Sequence, residues 1–421
     1  MWGGHDVTMK KKIILGCLLV AAVAVGILLN RMADIDIENS KMKVPKNRTV
    51  KTDDRAEKLQ EALEVDNDGN IAVKDIDKNI DDQIFEPTKR AAYTDDGFYV
   101  YNVSTNLVSF VDKKTYTMVP LCSKPDCSHS YIDCDAFYYT LCSIFVYDDE
   151  LYVVAADDST STLCLYQLNK DGSERTLVKT LFAIENDTGY SFRFSIHKGC
   201  LYMTVDNVTD DLYTENDSYL YSYPLDSNDK KEILRHTGYR ASIMVINCDG
   251  DNLYLDVVER STAGADAEEV IKYYCYNTKD ETMTELNVPK GYDVLYCSDG
   301  RVLAEYSEAE PPEYNIEKYE LHKINNKSGK DKIIYTNEDF LFCHSCVDSE
   351  YQYMIINKDG RRYLVVVSHD GKEVYQTEAK DYTMLVWSDK KDILLKSDTT
   401  GNYALCNIKT GKIQEVSAFL D

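Results

Sequence analysis

The feature that most constrains this chain is a unit of about 50 residues that recurs from about residue 90 onward. Each unit has a polar turn followed by a short apolar strand, which often contains Leu-Tyr. The anchor residues of these strands are Tyr99, Tyr152, Tyr202, Tyr254, Leu303, Tyr353 and Leu394. Successive anchors lie about 50 residues apart, and the last step is about 41. A repeat of this length indicates a solenoid, a propeller or an array.

Each unit contains four predicted strands. An apolar strand precedes the turn, as in 142–148 and 241–247, and the anchor strand follows the turn. The third strand lies at 106–111, 163–168, 219–224, 272–277, 318–324, 362–368 and 402–408. The last strand lies at 115–121, 175–181, 230–235, 281–286, 331–336, 372–377 and 412–417. Polar hairpin turns such as 169–172 separate these two strands.

The predicted fold is all-β, a seven-bladed β-propeller over residues 86–421, with six or eight blades as alternatives. A four-stranded sheet cannot cover both of its faces alone, so such sheets stack face to face around an axis. A β-sandwich pair or a solenoid remains the other interpretation of the same pattern.

The charge balance excludes one class of partner. The chain has 72 acidic and 47 basic residues, a formal net charge of −25. A nucleic-acid binder needs a cationic face to displace counterions, so no nucleic-acid partner is predicted. The same charge disfavours docking on anionic lipid, and it suits a cationic partner or the cell-wall environment.

An apolar segment at residues 13–29 is predicted to be a transmembrane signal anchor. Three lysines at 10–12 precede it and Arg31 follows it, which favours an N-terminus inside and a C-terminus outside. The predicted location is therefore the cell membrane, single-pass, with the C-terminal domain extracellular. A cleaved signal peptide is the rival interpretation, although the apolar run continues past the small residues at 21–24.

The predicted domain organisation is a short cytoplasmic tail (1–12), the anchor (13–29), a polar stalk (30–85) and the propeller (86–421). The stalk is charged and nearly free of aromatic residues. Within it, residues 64–75 imitate an EF-hand loop, with Glu64 at the first position and Asp75 at the last. A solvated acidic turn and a weak calcium site are both compatible with that pattern.

The densest group of chemically reactive side chains lies at residues 121–137, between the first two units. It contains Cys122, Cys127, His129 and Cys134 in the spacing Cys-x4-Cys-x-His-x4-Cys. Three thiolates and one imidazole form a possible tetrahedral zinc site, and a structural zinc is the only cofactor that the sequence suggests. In an oxidising compartment a disulfide staple is the competing interpretation, and thiols without either role are the third.

A second group contains Cys343 and Cys346, which flank His344. A Cys-x2-Cys pair can be redox-active or can supply half of a zinc site. No helix start follows it, so a structural pair in a strand is the interpretation we favour. The remaining strand cysteines are expected to be small buried apolar groups, namely Cys164, Cys200, Cys248, Cys275, Cys297 and Cys406.

Several enzyme motifs are absent from the sequence. It has no G-x-S-x-G elbow, and no G-x-G-x-x-G or phosphate-binding loop follows a strand. The sialidase Asp box and the tryptophan repeats of quinoprotein propellers are also missing. No catalytic residue can be assigned from the sequence, which leaves an enzyme disfavoured but open.

Three features of the sequence indicate a resemblance to a known family. They are the leader at 10–12 with its anchor, the Leu-Tyr strands, and the element LCSKPDCSH (121–129) followed by CDA (134–136). The chain resembles the uncharacterised membrane-anchored β-propeller proteins of anaerobic Gram-positive bacteria. These are related in fold to the propeller of the low-density-lipoprotein-receptor family. The resemblance implies a location and a fold, and no substrate. The receptor family's Tyr-Trp-Thr-Asp repeat is absent, so its ligands are not implied.

The predicted function is a binding or scaffolding module for a surface protein or glycan, attached to the membrane through residues 13–29. Propellers offer a central funnel and broad loop faces for such partners. The alternative is a glycan-active hydrolase or lyase that uses carboxylates in the funnel. Several carboxylates that converge at one mouth of the central funnel, at least one of them with a perturbed pKa, would favour the enzyme alternative.

Overall fold

The computed structural model describes residues 90–418 apart from 130–132, 158, 185–188, 209–213, 265–266, 299, 311–314, 338–339 and 342–345. Within this part, all regular structure is β-strand. None of these residues forms a helix long and apolar enough to cross a membrane. The predicted anchor (13–29), the stalk (30–85) and the EF-hand-like segment lie outside the described residues.

Two four-stranded antiparallel groups begin the fold. Sheet 1 contains β1 (Ala91–Tyr93), β2 (Gly97–Asn102), β3 (Leu107–Asp112) and β4 (Thr117–Pro120). Sheet 2 contains β5 (Leu141–Tyr147), β6 (Glu150–Asp157), β7 (Thr162–Leu168) and β8 (Thr176–Ala183). In both sheets each strand pairs with the next one along the chain, which is the order expected for an up-and-down blade.

Sheet 3 has seven strands. They are β9 (Gly189–His197), β10 (Cys200–Val208), β11 (Glu215–Pro224), β12 (Lys231–Asp249), β13 (Asn252–Arg260), β14 (Glu269–Asn277) and β15 (Met283–Glu285). Sheet 4 contains β16 (Asp293–Ser298), β17 (Arg301–Glu310), β18 (Asn315–Asn325) and β19 (Asp331–Asn337).

Two further sheets and a terminal strand complete the fold. Sheet 5 contains β20 (Phe340–Leu341), β21 (Cys346–Val347), β22 (Tyr351–Lys358), β23 (Arg361–Ser368) and β24 (Glu373–Glu378). Sheet 6 contains β25 (Met384–Ser388), β26 (Asp392–Lys396), β27 (Tyr403–Asn407) and β28 (Ile413–Glu415), and β29 (Ser417–Ala418) ends the described chain. Every predicted strand of the repeat overlaps one of these elements, with small shifts in the bounds except at β12, which covers two predicted strands.

Tight turns join the first two strands of several groups. Asp148 and Asp149 have φ of 50° and 68°, and Lys198 and Gly199 have φ of 46° and 72°. Two consecutive residues with positive φ match the twist of the strands that they connect. The polar turns that punctuate the repeat therefore close hairpins.

The seven anchor residues of the repeat fill the spaces between adjacent groups of strands. Each is at most 8% exposed. Tyr99 belongs to the core between sheets 1 and 2, and Tyr152 belongs to the core between sheets 2 and 3. Tyr353 and Leu394 lie in the core shared by sheets 5, 6 and 1. The periodic anchors thus form a ring of interfaces, because each sheet buries its faces against its two neighbours.

The inner strands follow one another around this ring. Contacts join β1 to β5, β5 to β9, β9 to β12, β12 to β16, β16 to β21, β22 to β25, and β25 back to β1. The cycle closes on its first member, so the fold is a β-propeller. This confirms the all-β propeller that the sequence predicts, whereas the count of seven blades stays a prediction because the described residues form six sheets. An open solenoid or two opposed sheets would leave the first and last sheets apart.

The two ends of the chain meet at sheet 1. Strand β29 pairs in parallel with β4, through Ser417 with Thr117 and Ala418 with Met118. An ion pair between Lys113 and Asp389 joins the turn after β3 to the turn after β25. These contacts tie the last sheet to the first and close the ring.

Strand β12 differs from the prediction. The sequence predicts separate strands at 230–235 and 241–247, whereas the structure has one strand of 19 residues. Its first half pairs with β11 and its second half pairs with β13. The register shifts between Tyr239 and Ser242, where Arg240 has a φ of 52°. A bulge of this kind bends a strand without ending it, so the turn-like residues at 236–240 do not separate two strands.

Candidate functional site

The predicted Cys-His group is one compact cluster in the structure. Ligand atoms of Cys122, Cys127, His129 and Cys134 all lie within 4.8 Å of one another. The Nδ1 atom of His129 is 3.3 Å from the Sγ atom of Cys134. His129 and Cys134 are buried, at 6% and 3% exposure, and the other two are half-buried. The four residues that the spacing singled out are therefore brought together by the fold.

The cluster lies in the connection between β4 and β5, which folds back along the end of sheet 1. Phe137 forms an isolated bridge with Leu107. The amide of Val108 donates to the carbonyl of Ala136 (2.9 Å), and the amide of Tyr138 donates to that of Asn106 (2.9 Å). These backbone bonds place the end of the connection beside β3.

Two cations brace the connection from outside. Arg175, just before β8, donates to the carbonyls of Asp135 (2.6 Å) and Phe137 (3.2 Å). Its guanidinium lies 4.0 Å from the centre of the Tyr138 ring. Lys124 pairs with the carboxylate of Asp135 at 2.8 Å. Sheet 2 therefore supports a loop that begins at sheet 1.

The thiols of the cluster influence one another. The hydrogen bond from Cys134 lowers the pKa of Cys122 well below its usual range, and bonds from His129 and from backbone amides act in the same direction. The same pairing raises the pKa of Cys134. Outside the cluster, burial raises the pKa of Cys142 to about 11. Cys122 is thus set up to carry a thiolate, and Cys142 is not.

No disulfide joins any two of the cysteines in the described part of the chain. Cys164, Cys248, Cys297 and Cys406 are buried, as predicted for small apolar groups in strands, and Cys200 and Cys275 are half-buried. Cys346 is buried in β21. Its predicted partner Cys343 lies outside the described residues, so the Cys-x2-Cys interpretation stays a prediction.

A second candidate site is a polar recess of about 340 Å³ at the edge of sheet 3. It is lined by Ser191, Arg193, Asp206, Asn207, Val208, Asn216, Arg240, Ala241 and Ser242. These residues come from four strands, β9 to β12. A guanidinium, a carboxylate, amides and hydroxyls face one opening, which offers both donors and acceptors to a ligand.

Asp206 is the centre of this recess and is 6% exposed. Its Oδ2 atom accepts from Nη1 of Arg193 (2.7 Å) and from Oγ of Ser242 (2.8 Å). Its Oδ1 atom accepts from Oγ of Ser218 at 2.5 Å. A buried carboxylate with this many donors holds its neighbours in fixed positions.

Asn216 fixes the bulge of β12. Its side-chain nitrogen donates to the carbonyl of Ala241 (2.8 Å), and its side-chain oxygen accepts from the amide of Ala241 (2.8 Å). The side-chain amide thus replaces the backbone partner that Ala241 would otherwise lack. Arg240 beside it is exposed, and its guanidinium has no hydrogen bond or ion pair to another described residue.

Two carboxyl groups near the recess have raised pKa values. The pKa of Asp256 is raised to about 7, chiefly by burial; the charge of Arg193 and a backbone hydrogen bond from Met244 oppose the rise, and the charges of Asp206 and Asp293 add to it. Burial, and then the charge of Glu269, raises the pKa of Asp293. A carboxyl group with a pKa near 7, as at Asp256, can act as a general acid.

The recess and the Cys-His cluster share one face of the propeller. In an up-and-down group of four strands, the fourth strand ends where the first begins, so every link to the next group lies on the same face. The connection between β4 and β5 and the bulge at Arg240 are both links of this kind. Sequence reasoning missed the recess because its residues come from four strands and follow no spacing rule.

No protein-family model matches the sequence, and no curated protein matches it. Solved structures do resemble the fold. TolB from Acinetobacter baumannii is 13% identical over 69% of this chain and 64% of TolB, with a TM-score of 0.34. A structure of prolyl endopeptidases is 13% identical over 86% of this chain, with a TM-score of 0.49, and the chain spans only 54% of its length.

The β-propeller domain of the Trilobed protease from Pyrococcus furiosus is also similar. It is 8% identical over 80% of this chain and 95% of that domain, with a TM-score of 0.48. The assignment of the fold therefore rests on the strand pairing and the ring of contacts within this chain.

Proposed function

We propose that this chain is a binding or scaffolding propeller, and that the recess at sheet 3 receives a hydroxyl-rich ligand, a glycan. The observation that carries the proposal is Arg240. It is exposed at the rim of a recess with a fixed polar lining, and it adopts a left-handed φ of 52°. Backbone strain of this kind is found where a structure holds a side chain out for a ligand.

The composition of the lining supports a glycan. Sugar hydroxyls donate and accept hydrogen bonds at once, and the recess presents Arg193, Asn216 and Ser191 around one carboxylate. Because Asp206 already holds Arg193 and Ser242 in place, little side-chain entropy remains to be lost on binding. A protein ligand is the alternative, and it would use the wider face around the recess.

The test is a glycan array probed with the full-length chain and with Arg240→Ala. We expect binding that falls at least tenfold in the variant, because among the described residues that line the recess only Arg240 has an exposed guanidinium. Arg361→Ala is the matched control, since Arg361 is an exposed arginine on sheet 5, away from the recess. Binding unchanged by Arg240→Ala, or a protein ligand without any glycan ligand, would contradict the assignment.

We also propose that the propeller is held outside the cell by residues 13–29. The support is the apolar segment with its flanking charges and the resemblance to membrane-anchored propellers of anaerobic Gram-positive bacteria. Protease treatment of intact cells should remove the propeller and leave a cytoplasmic control protein whole. A propeller that survives until the cells are lysed would contradict this location.

We infer seven blades for the ring. The support is β12, whose two halves serve as the fourth strand of one group and the first strand of the next. Sheet 3 would then be two blades that share one strand. An experimental structure in which β9–β15 form a single blade would overturn this count.

A second candidate function is glycan hydrolysis or elimination, and the raised pKa of Asp256 favours it. A protonated Asp256 would act as the acid, with Asp293 as the nearby second carboxyl group. In that case Asp256→Asn abolishes release of sugar products, while the exposed turn variant Asp359→Asn does not. Binding without any turnover by the unmodified chain would leave the binding role alone.

A further inference from the structure

The geometry of the Cys-His cluster distinguishes a zinc site from a disulfide, two of the three interpretations of its sequence. A disulfide joins two sulfur atoms and has no use for a third thiol or for an imidazole. Here three thiols and one imidazole lie within 4.8 Å of one another. Ligands bound tetrahedrally at about 2.3 Å for sulfur and about 2.0 Å for nitrogen lie roughly 3.5–3.8 Å apart. The separation of 3.3 Å between His129 and Cys134 is close to that value.

The groups around the cluster fit a charged metal centre. Three thiolates and one divalent cation carry a net charge of −1, and Lys124 and Arg175 stand on the outside of the same loop. Hydrogen bonds to ligand sulfur and nearby compensating charges are the usual outer shell of such a site.

We propose that Cys122, Cys127, His129 and Cys134 bind one Zn²⁺ ion. Three thiolates and an imidazole are a ligand set that zinc prefers, and four protein ligands leave no open position for a substrate. The site is therefore structural. It ties the start of the connection after β4 to its return toward β5, and so holds sheet 1 against sheet 2.

This inference does not depend on the proposed glycan recess, because no residue is shared between the two sites. It explains why the connection between β4 and β5 can hold its shape with so little strand pairing of its own. The bridge at Phe137 and the contacts of Arg175 position only its second half. Zinc would fix the first half.

The experiment measures metal bound to the full-length chain, purified without chelator, by elemental mass spectrometry. We expect one zinc per chain, with at least a tenfold loss in Cys127→Ser and in Cys134→Ser. Cys142→Ser is the matched control, because Cys142 follows the same connection and lies outside the cluster. It should keep the full zinc content.

A second measurement uses the unmodified chain, so that the test of zinc binding does not depend on whether a variant folds. Replacement of zinc by Co²⁺ should give thiolate-to-cobalt charge-transfer bands and the ligand-field bands of a tetrahedral site. A disulfide between any two of these cysteines in the intact mass, or absence of metal from the unmodified chain after purification from zinc-containing medium, overturns the proposal. Full zinc content in Cys127→Ser does so as well.

Discussion

The connection between β4 and β5 and the middle of β12 link successive groups of strands in two different ways. At β12 the backbone stays in the sheet and changes partners across a bulge. Between β4 and β5 the chain leaves the sheet for 20 residues, from Leu121 to Thr140, and returns. The comparison shows that the ring needs only a link of suitable length on one face, and that side chains decide how the link is held.

Each link must satisfy its backbone polar groups in its own way. At β12, side chains substitute for strand partners, as the Asn216 amide does for Ala241. Asn247 repeats the device one group later, where its amide exchanges two hydrogen bonds of 2.8 Å with the backbone of Cys297. Between β4 and β5, the Cys-His cluster and Arg175 take this role.

The largest expected effect tests β12 as a structural link. Ile243 is fully buried between the two halves of sheet 3. Ile243→Ala should lower the free energy of unfolding by about 2–5 kcal/mol, because it leaves a cavity in a packed core. Urea unfolding measures this, and Ile333→Ala at a position 48% exposed should cost no more than about 0.5 kcal/mol. Equal losses in the two variants would mean that β12 is not a packed link.

An intermediate effect tests the start of the other link. A Cβ atom on Gly172 would lie 2.3 Å from the carbonyl oxygen of Leu121, and the φ of Gly172 is 83°. Gly172→Ala should therefore cost about 2–3 kcal/mol, part of it from backbone strain and part from the clash. Gly199→Ala isolates the strain, because Gly199 has a φ of 72° and no atom within 4 Å of the added carbon.

The Gly199→Ala cost should be about 1 kcal/mol. If thermal unfolding gives the same loss of stability for both glycine variants, the turn at Gly172 does not pack closely on the connection between β4 and β5.

The smallest expected effect is a pH dependence of stability, and it concerns Asp256 on β13, the strand that pairs with the second half of β12. Burial raises the pKa of Asp256 to about 7, above its ordinary value, so the folded state holds a proton that the unfolded state releases. This contribution to stability is present at pH 4 and is lost as the pH rises toward and through 7. The unmodified chain should lose about 1 kcal/mol between pH 5 and pH 8 relative to Asp256→Asn, because partial exposure screens the charge.

Melting temperatures of the two proteins at pH 5 and pH 8 measure that difference. Parallel changes would show that Asp256 titrates normally, and the second candidate function would lose its support.

Much of the fold could be predicted from the sequence. The anchors Tyr99, Tyr254 and Tyr353 recur at a fixed spacing because each fills an equivalent interface of the ring. Strands and turns followed from the same local pattern. The continuity of β12 could not be predicted, because residues 236–240 contain a glycine and polar residues that suit a turn as well as a bulge.

The two candidate sites also differ in how far the sequence alone could predict them. The four residues of the Cys-His cluster lie within 13 consecutive positions, from Cys122 to Cys134, so their types and spacing already indicated a common site. The lining of the recess is spread over residues 191–242, and its members belong to common residue types with no regular spacing. Only strand register and the bulge at Arg240 make them neighbours.

The sequence by itself determined that the chain builds repeated four-stranded groups with one apolar anchor each, because alternation, turn chemistry and spacing are local properties. The tertiary structure decided that the groups close into a ring, that two of them share β12, and where the polar recess lies. These outcomes depend on contacts between residues distant in sequence, whose free energy exists only after the sheets have packed.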